Sequence, residues 1–254
     1  MLIIISPSKT QDFTTETSIQ KNTQPALLKE TELLMKALKN KSEKQIAKLM
    51  DVSEQLASLN YSRYQQFHTP FNIDNARQAL LAFKGDVYTD IEVEDYTKEE
   101  LDFAQQHLRI LSGLYGVLQP LDLIQPYRLE MKIKLKNERG KDLYQFWGLR
   151  ITKLLNEALK ATEGKFIINL ASKEYYKAIK ESALDGEVIT PVFKELKNGE
   201  YKIIAIFAKR ARGMMTNFII RNAITAVEQL KTFDQAGYQF DARLSEANTL
   251  VFTR

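Results

Sequence analysis

The sequence predicts an α+β fold, with mixed helices and strands and a hairpin near the C-terminal third, not a regular βαβ fold. Three observations carry this. Capped helical patterns dominate residues 25–111 after an apolar opening run. An Asn198-Gly199 pair stands between two alternating runs, the strongest short hairpin signal a sequence offers. The remaining β-rich runs, at 2–5, 166–170 and 250–252, do not alternate one for one with helices.

In order, Leu2-Ile3-Ile4-Ile5 reads as a buried strand ending at Ser6-Pro7-Ser8-Lys9-Thr10, and a polar loop follows to Thr23. From Pro25, leucines 27, 28, 34 and 38 set a helical pattern. Ser42 and Ser53 open helices at 43–50 and 53–66, and Asp74 is expected to cap a helix through Leu81. Ala82–Tyr88 breaks that pattern. Helix resumes at Thr97, with Glu100 in the capping-box position, and is expected to run to residue 111. Leu149–Leu159 repeats helical spacing, and Phe166–Leu170 reads as a central strand. Val188–Phe193 and Tyr201–Phe207 are the hairpin strands, followed by a helix around 211–223 and a last strand at Leu250–Phe252. No repeat, low-complexity tract or linker divides the chain, so residues 1–254 read as a single domain.

Composition excludes several chemistries. With no cysteine, thiol catalysis, disulfides and iron–sulfur or thiolate metal sites are excluded, and two histidines (His68, His107) cannot build a histidine-rich centre. No metal or cofactor motif is present. No apolar run reaches the roughly 18 residues of a membrane helix, and MLIIIS lacks the basic start of a signal peptide, so a cytoplasmic protein without a membrane partner is expected. The net charge is only +4, but it is unevenly placed. Residues 61–108 carry four Lys/Arg against nine Asp/Glu, and residues 109–160 carry ten against five. An anionic partner is the natural reading of that asymmetry.

Several stretches could carry chemistry. Ser6-Pro7-Ser8-Lys9 matches S-x-x-K, in which a lysine activates a serine, but no companion motif follows. The same residues after a strand could meet an anion or simply turn the chain. Ser112-Gly113-Leu114-Tyr115-Gly116 follows an apolar face of Leu108, Ile110, Leu111 and Leu114. Its glycines permit either a helix end or a tight turn whose N–H groups hold a phosphate. Lys209-Arg210-Ala211-Arg212-Gly213 offers two guanidinium forks, expected on one side of an extended chain, or else a solvated strand end. Arg109, Arg128, Lys132, Lys134, Lys136, Arg139 and Lys141 add a second basic supply. Lys132, Lys134 and Lys136 would share one face if extended. Lys84-Gly85-Asp86 and Asn169-Leu170-Ala171-Ser172 could contribute to a pocket, or be a surface turn and a helix cap.

Six blocks together resemble the YaaA family of peroxide stress resistance proteins. They are ISPSKT (5–10), AFKGDVY (82–88), HLRILSGLYGVLQPLDLIQPYRLEM (107–131), GKDLYQFWG (140–148), INLAS (168–172) and FAKRARG (207–213). The resemblance implies a cytoplasmic protein that limits damage by free iron during peroxide stress. It also implies a mixed α/β fold that binds DNA with a positively charged cleft and a helix-hairpin-helix element. That element would fall at Leu108–Leu118.

Two functions follow as expectations. The first is a double-stranded DNA-binding protein contacting the duplex through Lys9, Arg109, Ser112, Gly113, Tyr115, Gly116, Arg128, Lys132, Lys209, Arg210 and Arg212. The second is an enzyme acting on a nucleobase, nucleotide or DNA lesion, with Ser6, Lys84, Asp86, Asn169 and Ser172 in one pocket and catalytic roles unassigned. A converging concave site favours the second, and scatter removes it. The oligomeric state is left open.

Overall fold

A computed structural model describes residues 1–254. Along the chain it contains β1 (Leu2–Ile5), β2 (Thr10–Gln11), α1 (Leu28–Lys39), α2 (Glu43–Met50), α3 (Glu54–Gln66), β3 (Arg77–Gln78), α4 (Ala79–Ala82) and β4 (Phe83–Lys84). Then come α5 (Lys98–His107), β5 (Leu108–Ser112), β6 (Gly116–Leu118), β7 (Leu123–Ile124), α6 (Leu143–Trp147), α7 (Arg150–Ala161), β8 (Phe166–Leu170) and α8 (Lys173–Tyr176). The C-terminal part adds β9 (Glu187–Lys197), β10 (Glu200–Lys202), α9 (Ala205–Arg221), β11 (Gln239–Phe240) and β12 (Thr249–Thr253). The class is α+β, with a mixed main sheet in the order β11-β12-β9-β8-β1-β5-β6.

The five strands β12, β9, β8, β1 and β5 run parallel, while β6 and β11 close the edges antiparallel. Each parallel step needs a crossover. The one from β1 to β5 spans about a hundred residues and holds α1 to α5, so strands and helices do not alternate regularly. β1 lies near the middle, and Leu2 to Ile5 are all fully buried. That is why it reads as a continuous apolar run rather than an alternating one.

Most capped helices stand where their signals put them. Ser42 and Thr97 each form a reciprocal capping box, with Gln45 and Glu100 respectively. Three expectations are corrected. Asp74 caps no helix: Asn72 and Asn75 build a turn there, and Arg77–Gln78 is a strand paired with β7. The helix from Thr97 stops at His107, because Leu108–Ser112 inserts beside β1 as a fully packed strand. The second hairpin strand ends at Lys202 instead of Phe207. Residues 205–221, with three Ala, three Arg and two Met, form α9. The turn itself is as expected: Asn198 (φ 54°) and Gly199 (φ 79°) are both left-handed.

The second correction removes the helix-hairpin-helix. Residues 108–118 form an antiparallel β-hairpin, with Ser112 opposite Gly116 and Ile110 opposite Leu118. No helix of the structure is long and apolar enough to cross a membrane.

Candidate functional site

In a sheet with parallel strands, the side chains free to do chemistry lie past the strands' C-terminal ends. The crevice opens where neighbouring strands send their connections in opposite directions. Here β1 and β8 are neighbours; β1 leads on to β5 on one side and β8 to β9 on the other. Their C-terminal ends carry Ser6 and Ser172. The Ser172 backbone N–H donates to Ser6 Oγ at 2.9 Å, and the two hydroxyls are 3.3 Å apart. A cleft of about 440 Å³ opens over this pair.

Four segments wall it. The β2–β4 pairing carries the loop after Lys84 back to the Ser6–Lys9 turn. Gly85, at φ +116°, leaves room for the Ser8 side chain, since a Cβ there would sit 2.9 Å from Ser8 Oγ. Tyr88 donates its hydroxyl proton to the Ser6 carbonyl at 2.9 Å. Helix α9 presses on the same loop through Gly213, where a Cβ would meet the Val87 carbonyl oxygen at 2.0 Å. This contact brings Lys209 and Arg212 to the cleft. Glu130 arrives from the segment after β7, and Glu174 and Tyr175 come from α8.

The residues expected to touch phosphate at 112–116 have a different task. Ser112 and Tyr115 are fully buried, and Gly113 and Gly116 are buried with them. Ser112 Oγ is 2.7 Å from Tyr127 Oη and accepts from the Tyr115 N–H; Tyr115 Oη accepts from the Gln125 N–H at 2.9 Å. A Cβ on Gly113 would meet the Leu129 carbonyl at 2.1 Å. The hairpin is the bed on which residues 125–130 lie, and so it sets the position of Glu130.

Glu130 is 5% exposed. Its Oε1 takes both Lys9 Nζ and Arg128 Nη2 at 3.2 Å, while its buried Oε2 has no partner. Burial pushes this carboxyl up, but Arg128 and Lys9 outweigh that and hold it below its ordinary range. Burial raises the Tyr88 and Tyr175 hydroxyls, so both stay protonated donors.

The cations divide sharply. Lys209 pairs with Asp86 at 3.2 Å and Arg210 with Asp90 at 2.8 Å, while Arg221 reaches Glu92 and Glu100, both at 3.1 Å. Much of the acidic 61–108 block thus neutralises α9 inside the molecule. Arg210 and Arg212, two residues apart on a helix, point about 200° apart instead of sharing one side. Arg212 is half-buried, borders the cleft and has no carboxylate partner. Burial alone lowers its pKa. Arg109 donates to the Gln105 and Leu108 carbonyls, at 3.1 and 2.7 Å, and burial lowers it to about 10.

Of the expected pocket residues, Ser6, Asp86 and Ser172 line the cleft together with Lys9. Lys84 and Asn169 do not; Asn169 Oδ1 accepts from the Ala171 N–H and so shapes the loop behind it. Tyr88, Glu130, Glu174 and Tyr175 were not singled out from sequence, although Tyr88 and Glu130 lie in the AFKGDVY and YRLEM stretches. Lys9, Arg128 and Glu130 also border a second groove of about 390 Å³ that ends at Lys132 and Lys134. Lys132 and Lys134 there, and Lys136 just beyond, are exposed, alternating with buried Met131, Ile133 and Leu135. A larger groove of about 600 Å³ lies between residues 13–20 and 73–78. Its one cation, Arg77, gives Nη1 to the Thr15 carbonyl and faces Glu94 at 3.9 Å, with Nε and Nη2 lacking a hydrogen-bond partner. Lys9, Lys209 and Arg212 all gather at the strand-end cleft, which is the stronger candidate for an anion.

Among known proteins, a family model described as peroxide stress protein YaaA matches residues 1–244. A UPF0246 protein of Saccharophagus degradans is 53% identical over 254 residues, covering 100% of this chain and 99% of that protein. The six sequence blocks and these matches agree: the chain belongs to the YaaA family of peroxide stress proteins.

Proposed function

We propose that this chain serves the peroxide stress response in the cytoplasm by binding double-stranded DNA along its lysine-lined groove. The observation that carries this is the exposed row Lys132, Lys134 and Lys136, free of ion pairs and leading past Arg128 and Lys9 to the cleft. Cations already paired within the molecule have little to offer a phosphate, so this row replaces the 108–118 turn and Arg210 as the electrostatic contact. Each phosphate neutralised releases counterions, which makes affinity fall steeply with salt. Replacing the three lysines with Ala is expected to weaken duplex binding and to reduce the slope of log K against log salt by about three. A folded triple variant with an unchanged slope would refute the groove.

A second reading is an enzyme acting on a nucleobase, nucleotide or DNA lesion. It is favoured by the convergence of Ser6, Lys9, Asp86 and Ser172 in one concavity at the strand ends. Base release from damaged or bulged duplexes, and turnover of free nucleotides, are the assays that decide it. Absence of both under conditions where the protein binds DNA would remove this reading.

A further inference from the structure

Two side chains on the cleft lack partners, and they lack opposite things. Arg212 is a half-buried guanidinium with neither carboxylate nor hydrogen-bond acceptor, whereas Lys209 and Arg210 on the same helix are paired. Glu130 is a buried carboxylate whose Oε1 is saturated by Lys9 and Arg128 while its Oε2 accepts nothing. An unpaired buried acceptor is costly, and a partly desolvated cation without a counter-charge is open to one, so both are suited to a ligand that completes them. The ligand must then carry an anionic group for Arg212 and an N–H donor for Glu130. Tyr88, Tyr175, Ser6 and Ser172 line the same cleft of about 440 Å³. That volume is in the range of small-molecule sites.

We propose that the cleft binds one nucleotide unit, its phosphate on the Arg212 fork and an N–H of its base on Glu130 Oε2. The inference rests on the second reading above, in which the cleft receives a nucleobase or nucleotide, and it names the two groups that recognise it. A guanidinium matches phosphate oxygens in a planar, two-pronged geometry. The ionised carboxylate is a stronger acceptor for a base N–H than a neutral group would be. The same unit could come as a free mononucleotide or as a nucleotide extruded from a strand.

Calorimetric titration of the full chain with the four deoxynucleoside monophosphates, ribose 5-phosphate and a duplex carrying one unpaired nucleotide separates these. Arg212→Ala is expected to weaken all three ligand types by about tenfold or more, with Arg212→Lys recovering only part. Glu130→Gln keeps its amide oxygen towards Lys9 and Arg128, and so turns an N–H₂ donor to the cleft where the acceptor stood. The variant should therefore lose the preference for nucleotide over ribose 5-phosphate while still binding the sugar phosphate. Because Glu130 is buried, circular dichroism accompanies that variant, and the surface-accessible Arg212 change supplies a test that does not depend on it. Binding of the bulged duplex alone, sensitive to both changes, supports the site with the nucleotide drawn from a strand. Folded Arg212→Ala protein that binds every ligand as tightly as the wild type overturns the proposal. Nucleotide binding that depends on Arg212, without base release or turnover, supports the site and refutes the enzymatic reading instead.

Discussion

Asp122 is 2% exposed, accepting from Thr23 Oγ1 at 2.7 Å and from the Gln119 N–H at 2.8 Å. Burial raises its pKa from 3.8 to about 6 despite those bonds and the nearby Arg109. The folded protein therefore holds this proton more tightly than the unfolded chain does. Its contribution to stability is present below about pH 4 and lost as pH rises towards 6, an effect of about 3 kcal/mol. Asp122→Asn is expected to flatten that part of the stability–pH curve in urea melts; parallel curves for both proteins would contradict it. Gly213 is the second sensitive residue, because its absent Cβ would stand 2.0 Å from the Val87 carbonyl. Gly213→Ala should cost about 1–3 kcal/mol through overpacking, more than the helix propensity it gains. It should also push the 85–88 loop away from Ser6, and an unchanged Tm would show that the loop yields freely. The sequence made Ser6, Lys9, Asp86 and Ser172 visible because they punctuate strand ends and turns. Glu130 and Tyr175 were hidden, since their place depends on pairings more than a hundred residues apart in sequence, such as Tyr127 with Gln11.

At the scale of elements, polar signals proved more legible than apolar ones. Capping boxes and the Asn-Gly turn act through local hydrogen bonds and dihedral angles, so they mean the same thing in any tertiary setting. The run from Leu108 to Ser112 has no such anchor. Its buried Leu108, Ile110 and Leu111 fill both faces of a central strand, and the same residues fit a helical face equally well. The stretch from Ile203 to Phe207 failed in the opposite way: β-rich composition suggested a strand, but no partner strand lies beyond Lys202 and the helix formers behind it take over. The hairpin turn gives a clean test. Nothing lies within 4 Å of a Cβ at Gly199, so Gly199→Ala changes only the cost of its φ of +79°. A loss of about 1–2 kcal/mol is expected in chemical denaturation if the β9–β10 hairpin unfolds with the rest of the chain. No loss would show that the hairpin frays independently.

For the whole molecule, the sequence's opposed charge blocks are legible as a surplus but not as a circuit. The acidic 61–108 block looks like a region that would repel DNA beside one that would attract it. The fold instead folds it against α9, where Asp86, Asp90, Glu92 and Glu100 take up Lys209, Arg210 and Arg221. Arg212 at the cleft and the lysine row along the groove stand outside these pairs, which leaves them available to an anion. Asp86 is the adjustable member of this arrangement, because it borders the cleft and its side chain is 40% exposed. Asp86→Asn removes one negative charge from the rim and releases Lys209 towards whatever occupies the cleft. At the surface that ion pair contributes little stability, so the variant should fold normally. Its affinity for inorganic phosphate and for duplex DNA should rise, and the slope of log K against log salt should steepen by about one if Lys209 reaches a phosphate. Arg210→Ala, facing Asp90 on the other side of the helix, should leave that slope as it is. If Asp86→Asn leaves both affinities and the slope unchanged, Lys209 does not reach the ligand and Arg212 holds the anion without it.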